Sequence, residues 1–394
     1  MVARHGTAPP VRGTRPANRR QLITQAAADL FCRNGYAGVA VGDIADAVAI
    51  GPSALYRHFH GKQELLATVV DEGLATVEAA IEAVSNDPSR DLAAALAAAA
   101  LAQRRVGVLW QRESRHLTDA HRAQFRAAVK RIGARCAELI RTRRPALSAN
   151  DADLLARSGL AVATSVSFHT VELPELEFRS LLTNLVSTVF DAEITSLGPD
   201  PDRTLTPGNL TTRSRRETIL TEATKLFAAN GFANVGVDDI GAGVGIAGSS
   251  IYKHFNAKSD ILAAALQRGD DWLRTDLHRI LVRARTPRDG VRRLVDSYSN
   301  FVFDEPQMIQ LLVSESVHLP APDRHHARTS QHTYIAEWIH LVRQVHPDRP
   351  FDATRVRVQA TQSMLNHIAL TPHLRSTPTA RRTLADIGTA LLTQ

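Results

Sequence analysis

The sequence is poor in cysteine, in aromatic residues and in long apolar runs, and each shortage excludes a class of protein. Its 394 residues include two cysteines, too few for a disulfide framework or a cysteine-based zinc site. No stretch reaches the ~18 apolar, uncharged residues that a membrane span needs. The N-terminal segment lacks the apolar core of a secretory signal. We therefore expect a soluble, cytoplasmic protein that does not engage a membrane.

What is present favours helices. Aromatic residues make up only 5% of the chain and hydrophobic residues 44%, with Ala and Leu prominent among them. Runs rich in β-branched and aromatic residues, which are typical of sheets, are rare. The composition therefore predicts an all-α fold with enough apolar material for more than one core.

The charge balance points to a polyanionic partner. The formal net charge is +7 and the isoelectric point is near 9.8. Lysine is scarce, and four of the five lysines fall in two short segments, at Lys62, Lys225, Lys253 and Lys258. These two segments prove to be copies of each other.

The chain repeats itself at an offset of 196 residues. Arg19–Val70 and Arg215–Leu266 share 22 identities in 52 ungapped positions. A weaker echo follows, since Glu113 to Leu117 matches Glu315 to Leu319 at an offset of 202. We therefore infer that a whole unit, and not only its beginning, is duplicated.

The composition between the copies marks the domain boundaries. Residues 196–212 hold three prolines and two glycines without helical periodicity, which predicts a linker. Residues 1–18 carry three arginines and three prolines and predict a flexible basic arm. The predicted organisation is an arm (1–18), a first head (19–66), a first body (67–195), the linker, a second head (213–262) and a second body (263–394).

Each head predicts a helix-turn-helix. In copy one, apolar residues at i, i+3, i+4 spacing predict a helix over Arg19–Asn34 that ends at Gly35. Two short helices are predicted, over Val41–Val48 and Pro52–Phe59, and the second begins with proline, which is tolerated at the first helical position. A long helix is predicted from Lys62 to about Val84.

At this point the sequence resembles a known family. Leu55-Tyr56-Arg57-His58-Phe59 followed by Lys62, and Ile251-Tyr252-Lys253-His254-Phe255 followed by Lys258, look like the DNA-binding head of TetR-type repressors. The resemblance implies a tandem repressor of the kind found among actinobacterial regulators of lipid and steroid operons. It also implies two fused units, each with a three-helix head and a larger helical body.

The residues expected to contact DNA come from the second short helix of each head and the residues after it. The N-terminal residues of such a helix meet base edges in the major groove. The resemblance gives the Tyr, His and following Lys contacts to phosphate, which position the helix without reading sequence. The candidates are Pro52, Ser53, Ala54, Tyr56, Arg57, His58 and Lys62 in copy one, and Gly248, Ser249, Ser250, Tyr252, Lys253, His254 and Lys258 in copy two.

The two heads are expected to be unequal. The turn residue that is usually glycine is Ala49 in copy one and Gly245 in copy two. Gly42 corresponds to Asp238, whose carboxylate would repel phosphate. Residues 1–66 hold 8 basic and 4 acidic residues, whereas residues 207–266 hold 6 and 5. We therefore expect the first head to bind DNA more strongly, and an interaction protein or antirepressor with a degenerate second head stays open as an alternative.

The bodies are expected to hold an effector and to pair. By resemblance, the last two helices of each body (151–170 with 175–195, and 352–370 with 377–393) pair the two copies within one chain, with further self-association left open. The effector would be a small molecule such as a lipid, a steroid or an acyl-CoA compound. Its candidate contacts are Trp110, Glu113, His116, Phe168, Glu315 and His318.

Other chemistry is disfavoured. Glu113/His116 recurs as Glu315/His318 at i, i+3 spacing, which a hydrolase would use, but no nucleophile motif accompanies the pair. The histidines around Pro320 lack a cysteine or aspartate partner suited to metal. We therefore expect no catalytic residue, no metal and no cofactor, and predict a ligand-responsive DNA-binding regulator rather than an enzyme.

Overall fold

The structure is a computed structural model that describes residues 18–194 and 214–394, apart from the side chains of residues 110–112. Within these residues the secondary structure is helical, without strands. None of the described helices is long and apolar enough to cross a membrane. The predicted arm up to residue 17, and the predicted linker, lie outside the described residues.

The chain forms two compact units. The first lies within Met1–Arg143 and Val166–Thr170, and the second lies within Arg144–Ser165 and Val171–Gln394. The first unit contains the helices α1 (Arg19–Asn34), α2 (Val41–Ala47), α3 (Pro52–Tyr56), α4 (Lys62–Asn86), α5 (Leu92–Ala102), α6 (Val106–Glu113) and α7 (Asp119–Arg143).

The second unit begins with the last helices of copy one and continues through copy two. The copy-one helices are α8 (Ala149–Thr164) and α9 (Glu175–Phe190). Those of copy two are α10 (Arg215–Asn230), α11 (Val237–Gly243), α12 (Lys258–Arg283), α13 (Pro287–Asp304), α14 (Pro306–Gln310), α15 (Ala321–Val345), α16 (Phe351–Ala369), α17 (Pro372–Arg375) and α18 (Ala380–Thr393).

Each head has its own apolar core, which continues into the body beneath it. In copy one, Ile23, Ala27 and Phe31 repeat at i, i+4, i+8 on α1 and are buried together with Leu55 and Phe59. The same cluster includes body residues Leu109, Leu117 and Phe125. In copy two, the equivalent cluster includes body residues Leu311 and Leu319. The head and the body of each copy therefore share one apolar core.

Inside the second unit, the last helices of the two copies pack against each other. Helix α8 packs on α9 and α16, and α18 packs on α9 and α16. Both α8 and α16 bury residues on most of their circumference, as helices enclosed by neighbours do. The side chains of Asp153 on α8 and His373 on α17 lie 3.0 Å apart across the two copies.

The structure changes two details of the predicted organisation. Helix α3 ends at Tyr56, three residues earlier than predicted, and its counterpart Gly248–Lys253 is a 3₁₀-helix. In addition, the body predicted over 67–195 does not form one compact unit, because α8 and α9 group with copy two.

Candidate nucleic-acid interface

The turn that presents α3 is held by a residue in the left-handed backbone region. Ala49 has a φ of +54°, and its counterpart Gly245 has a φ of +71°. In both copies the next residue returns its N–H to the preceding helix, from Ile50 to Ala45 O (3.0 Å) and from Ile246 to Gly241 O (2.9 Å). Since only glycine adopts such a φ without strain, copy one builds the same turn from a less suitable residue.

Helix α3 presents a polar surface on one side and anchors itself on the other. Leu55 is fully buried, whereas Pro52, Ser53, Tyr56 and Arg57 are exposed. The exposed fraction of Tyr56 is 51%, although tyrosine is an amphipathic residue that is often largely buried. Ala54 and His58 are half-buried. The structure therefore brings most of the predicted contact residues of copy one to one accessible face.

The second copy presents a similar set of exposed residues. Ser249, Tyr252, Lys253 and His254 are exposed, with Tyr252 at 55%. Because a 3₁₀-helix has three residues per turn, Ser249 and Tyr252 lie on the same side. Ser250 is half-buried.

Gly248 does not fit its predicted role as a base contact, because it is buried. A Cβ at this position would lie 2.0 Å from Asp238 Oδ1 and 3.0 Å from Asp238 Cα. A Cβ at Gly241 would likewise meet the backbone of Gly248 at 2.9 Å. Copy one has Gly42, Ala45 and Pro52 at the three corresponding positions. In copy one the small residue of this pair of positions, Gly42, lies on the first of the two helices, and Pro52 lies on the second. In copy two the small residue, Gly248, lies on the second helix, and Asp238 lies on the first.

We call residues 52–59 and 248–255 the recognition segments. An arginine of the first helix of each head contacts the end of its recognition segment. Arg20 donates to His58 O (3.0 Å) with its guanidinium 4.3 Å from the centre of the Phe59 ring. Arg216 donates to His254 O (2.7 Å) and lies 4.0 Å from the Phe255 ring centre. Sequence reasoning missed this pair. The signal was available, because the arginine is identical in both copies.

Lys62 and Lys258 have an internal role that the sequence did not indicate. Lys62 Nζ donates to Tyr36 O (2.7 Å) and Val39 O (2.8 Å) and lies 4.2 Å from the Tyr36 ring centre. Lys258 Nζ repeats these contacts with Phe232 O and Val235 O, both at 2.8 Å. Two of the three ammonium donors are therefore used inside the head. Each lysine ties the start of the long helix to the loop that follows the first helix.

The recurring Glu/His pair joins the head to the body. Glu315 is buried and accepts the Phe232 backbone N–H (2.9 Å), and His318 stacks on the Phe232 ring at 5.3 Å. In copy one, His116 stacks on Tyr36 at 4.5 Å and Glu113 is buried beside Gly35.

The structure shows Glu113, His116, Glu315 and His318 in contact with the head, and their role in lining an effector pocket stays a prediction. Their partners belong to the head, where the ring of residue 36 or 232 lies between a histidine and a lysine. Burial raises the pKa of the Tyr36 hydroxyl. Of the two remaining candidates, Phe168 is half-buried at the end of a short 3₁₀-helix, and the Trp110 side chain lies outside the described residues.

No three metal-ligating side chains converge anywhere in the described ranges. The heads expose hydroxyl, phenol, guanidinium and ammonium groups, on Ser53, Ser249, Tyr56, Tyr252, Arg57 and Lys253. Phosphate oxygens and base edges are the partners that such groups suit.

Both heads match one family model. The model of the bacterial regulatory proteins of the tetR family matches residues 23–69 and again residues 219–265. Residues 23–69 and 219–265 are thus each similar to the domain that this family model describes. The matched ranges include both turns and both recognition segments, so the TetR-type heads of this chain coincide with the surfaces described above.

Curated relatives match over the same kind of segment. The chain is 28% identical over 98 residues to the HTH-type transcriptional activator FasR of Mycolicibacterium smegmatis, covering 25% of this chain and 45% of that protein. It is 36% identical over 61 residues to the HTH-type transcriptional repressor KstR2 of the same organism, covering 16% of this chain and 30% of that protein. The chain thus spans less than half the length of these relatives.

Among solved structures, the ketosteroid transcriptional regulator KstR2 of Mycobacterium tuberculosis is similar at 20% identity and a TM-score of 0.41. The match covers 46% of this chain and 95% of that structure.

Proposed function

We propose that this chain is a ligand-responsive transcriptional regulator that binds operator DNA through two non-identical TetR-type heads. The observation that carries the proposal is the twofold occurrence of an exposed recognition segment within a matched TetR domain. In each segment a buried aliphatic residue anchors the helix, and the tyrosine beside it stays more than half exposed. Such a regulator works on DNA in the cytoplasm.

The residues proposed to meet base edges are Ser53 and Ala54 in the first head and Ser249 and Ser250 in the second. Tyr56, Arg57, Tyr252 and Lys253 are proposed to meet phosphates. A serine hydroxyl both donates and accepts, whereas Ala54 offers only apolar contact, for instance to a thymine methyl. The half-sites of the operator should therefore differ in sequence. Their spacing should stay near one helical turn, about 34–36 Å.

We propose that the two copies pair within one chain. The packing of α8 and α9 against α16 and α18 supports this, because these helices correspond to the predicted pairing helices of each body. The contact between Asp153 and His373 joins unlike residues from the two copies. Since the pairing faces are occupied internally, one chain should suffice for one operator.

Effector binding is proposed to act through the head–body junctions. The Glu/His pair, the aromatic ring of residue 36 or 232 and the lysine at the start of the long helix form a continuous set of contacts in each copy. A small molecule that favours another arrangement of the body would shift the population of head positions away from DNA. Its class, whether a lipid, a steroid or an acyl-CoA compound, follows from the resemblance.

The direction of regulation is proposed to be repression. The two curated relatives differ in this respect, FasR being named an activator and KstR2 a repressor. A reporter fused to the chain's own upstream region decides between them. Repression predicts higher reporter output in a strain that lacks the protein, and lower output would establish activation.

The alternative is an interaction protein whose second head no longer reads DNA. Asp238 at the head surface and the burial of Gly248 favour it. A hydrolase is disfavoured, because Glu315 and His318 are engaged with the head. Footprinting of the upstream region with wild-type protein and with Tyr252→Ala separates the first two. A regulator with two working heads loses protection over one half-site only, whereas a degenerate second head gives an unchanged footprint.

A further inference from the structure

A polar groove lies between α12 and α13 of the second unit, away from the head residues described above. Its volume is about 610 Å³, within the range of small-molecule sites. Helix α12 contributes Trp272, Asp276, Arg279 and Arg283 to its wall. Helix α13 contributes Arg292, Arg293, Asp296, Ser297 and Asn300. Nothing in the proposed DNA-binding mechanism uses this groove.

The charged groups on the α13 side neutralise one another. Arg292 bridges Asp289 (2.9 Å) and Asp296 (3.1 Å), and Arg293 also pairs with Asp289, at 2.8 Å. Opposite them, the Ser297 hydroxyl donates to Asp276. These ion pairs and this hydrogen bond leave little unpaired charge on the α13 side of the groove.

The α12 side is different. Neither Arg279 nor Arg283 forms an ion pair or hydrogen bond with any residue in the described ranges, and both are exposed. They are four residues apart, so their guanidinium groups lie on the same side of the helix. Two adjacent unpaired guanidinium groups are suited to a phosphate chain, since each offers several donors in a planar fork.

At the other end of the same stripe lies an exposed aromatic ring. One face of Trp272 stacks on Phe301 at 4.8 Å, while 43% of the tryptophan remains exposed. A half-exposed indole held in place by a second ring is a platform for a flat group.

The order of these residues along α12 is aromatic, carboxylate, guanidinium, guanidinium. Trp272, Asp276, Arg279 and Arg283 are spaced i, i+4, i+7 and i+11, which places them on one face over about 16 Å. The stripe is specific to copy two. At an offset of 196, copy one has Thr76, Ala80, Ala83 and Asp87, which lack both the ring and the positive charges. The fold therefore does not require this set.

We propose that this groove binds a nucleoside diphosphate or triphosphate laid along α12. The base stacks on Trp272, the pentose hydroxyls donate to the Asp276 carboxylate, and the phosphates bind Arg279 and Arg283. The stripe is long enough to hold a base, a pentose and two phosphates end to end. The site contains none of the residues proposed to contact DNA. Its test is therefore independent of the test of the proposed function.

The test is a titration of the full chain with ADP, in which binding is measured by calorimetry and by the quenching of tryptophan fluorescence. Wild-type protein should bind ADP more tightly than it binds either adenosine or inorganic pyrophosphate, because each fragment contacts only part of the stripe. The variant Arg279→Gln/Arg283→Gln should weaken ADP binding at least about tenfold, and Trp272→Leu should weaken the binding of adenosine as well as of ADP.

A matched control is Arg328→Gln/Arg343→Gln, which removes the same two charges from exposed positions on α15. This variant should bind ADP like wild type. Equal loss in the control would show a nonspecific charge effect and overturn the proposal, as would absence of ADP binding up to the order of 1 mM. Unchanged ADP binding by Arg279→Gln/Arg283→Gln, with weakened binding of DNA, would assign the arginines to a nucleic-acid surface instead and would also overturn it.

Discussion

Replacing Lys62 by methionine distinguishes an internal role of this lysine from a direct contact with DNA. The change keeps the apolar stem and removes an ammonium that donates to two carbonyl oxygens and lies over the Tyr36 ring. A hydrogen bond to a charged group contributes about 1.5–3 kcal/mol, and a cation–π contact about 0.5–1 kcal/mol. Because the lysine is half-exposed and water can replace part of these contacts, we expect a net loss near 2 kcal/mol. That loss lowers Tm by roughly 4–8 °C in a unit of this size.

Calorimetry and a salt series of DNA binding measure the two roles separately. Lys258→Met removes the same contacts in copy two and should lower stability by a similar amount. Lys130→Met, at an exposed position on α7, should leave stability within about 0.5 kcal/mol. A phosphate contact contributes about 0.9 to the slope of log affinity against log salt, and we expect that slope to stay unchanged in Lys62→Met. A shallower slope with unaltered Tm would refute the internal role.

Three further predictions concern the helix-turn-helix segments. Ala49→Gly should stabilise the chain by about 0.5 kcal/mol and Gly245→Ala should destabilise it by about 0.5–1 kcal/mol, because the left-handed backbone penalises a Cβ while glycine costs unfolded-state entropy; chemical denaturation measures both, and equal signs would contradict the turn argument. Gly248→Ala should cost about 1–3 kcal/mol by pressing on Asp238, and adding Asp238→Gly should recover part of that loss; a neutral single variant would show that the two helices separate freely. Asp238→Asn should tighten DNA binding a few-fold in gel-shift titrations at low salt by removing a like charge beside the phosphates; weaker binding would place this residue away from DNA.

The helices of this chain could be predicted because their signals are local. Helix α1 runs over the predicted residues Arg19–Asn34, since an apolar stripe begins there and Gly35 ends it. The duplicated head followed from the internal repeat, and the family model matches one segment in each copy, at residues 23–69 and 219–265.

What the sequence did not show are contacts between residues far apart in the chain. The helical spacing of Glu315 and His318 was visible, but their contact with Phe232, more than 80 residues earlier, was not. Gly248 was predicted to contact a base edge because it is the first residue of the second short helix of its head. Asp238 packs directly against Gly248 in the structure. The residues of the motif alone do not indicate this contact.

The grouping of α8 and α9 with copy two shows the same limit. The sequence predicted these helices, and the family resemblance implied that they pair the two copies. It placed the domain boundary at the linker, where the composition changes, whereas the compact unit begins near Arg144. Composition marks where a chain lacks helices, but only packing decides which helices share a core.

Native mass spectrometry of the chain on its footprinted operator, run beside footprints of Tyr56→Ala and Tyr252→Ala, tests whether one chain reads both half-sites. We expect one chain per operator, a footprint without good dyad symmetry, and loss of protection over a different half-site in each variant. Two chains on a perfect palindrome, with binding insensitive to Tyr252→Ala, would contradict it and leave the second copy without a role in reading DNA.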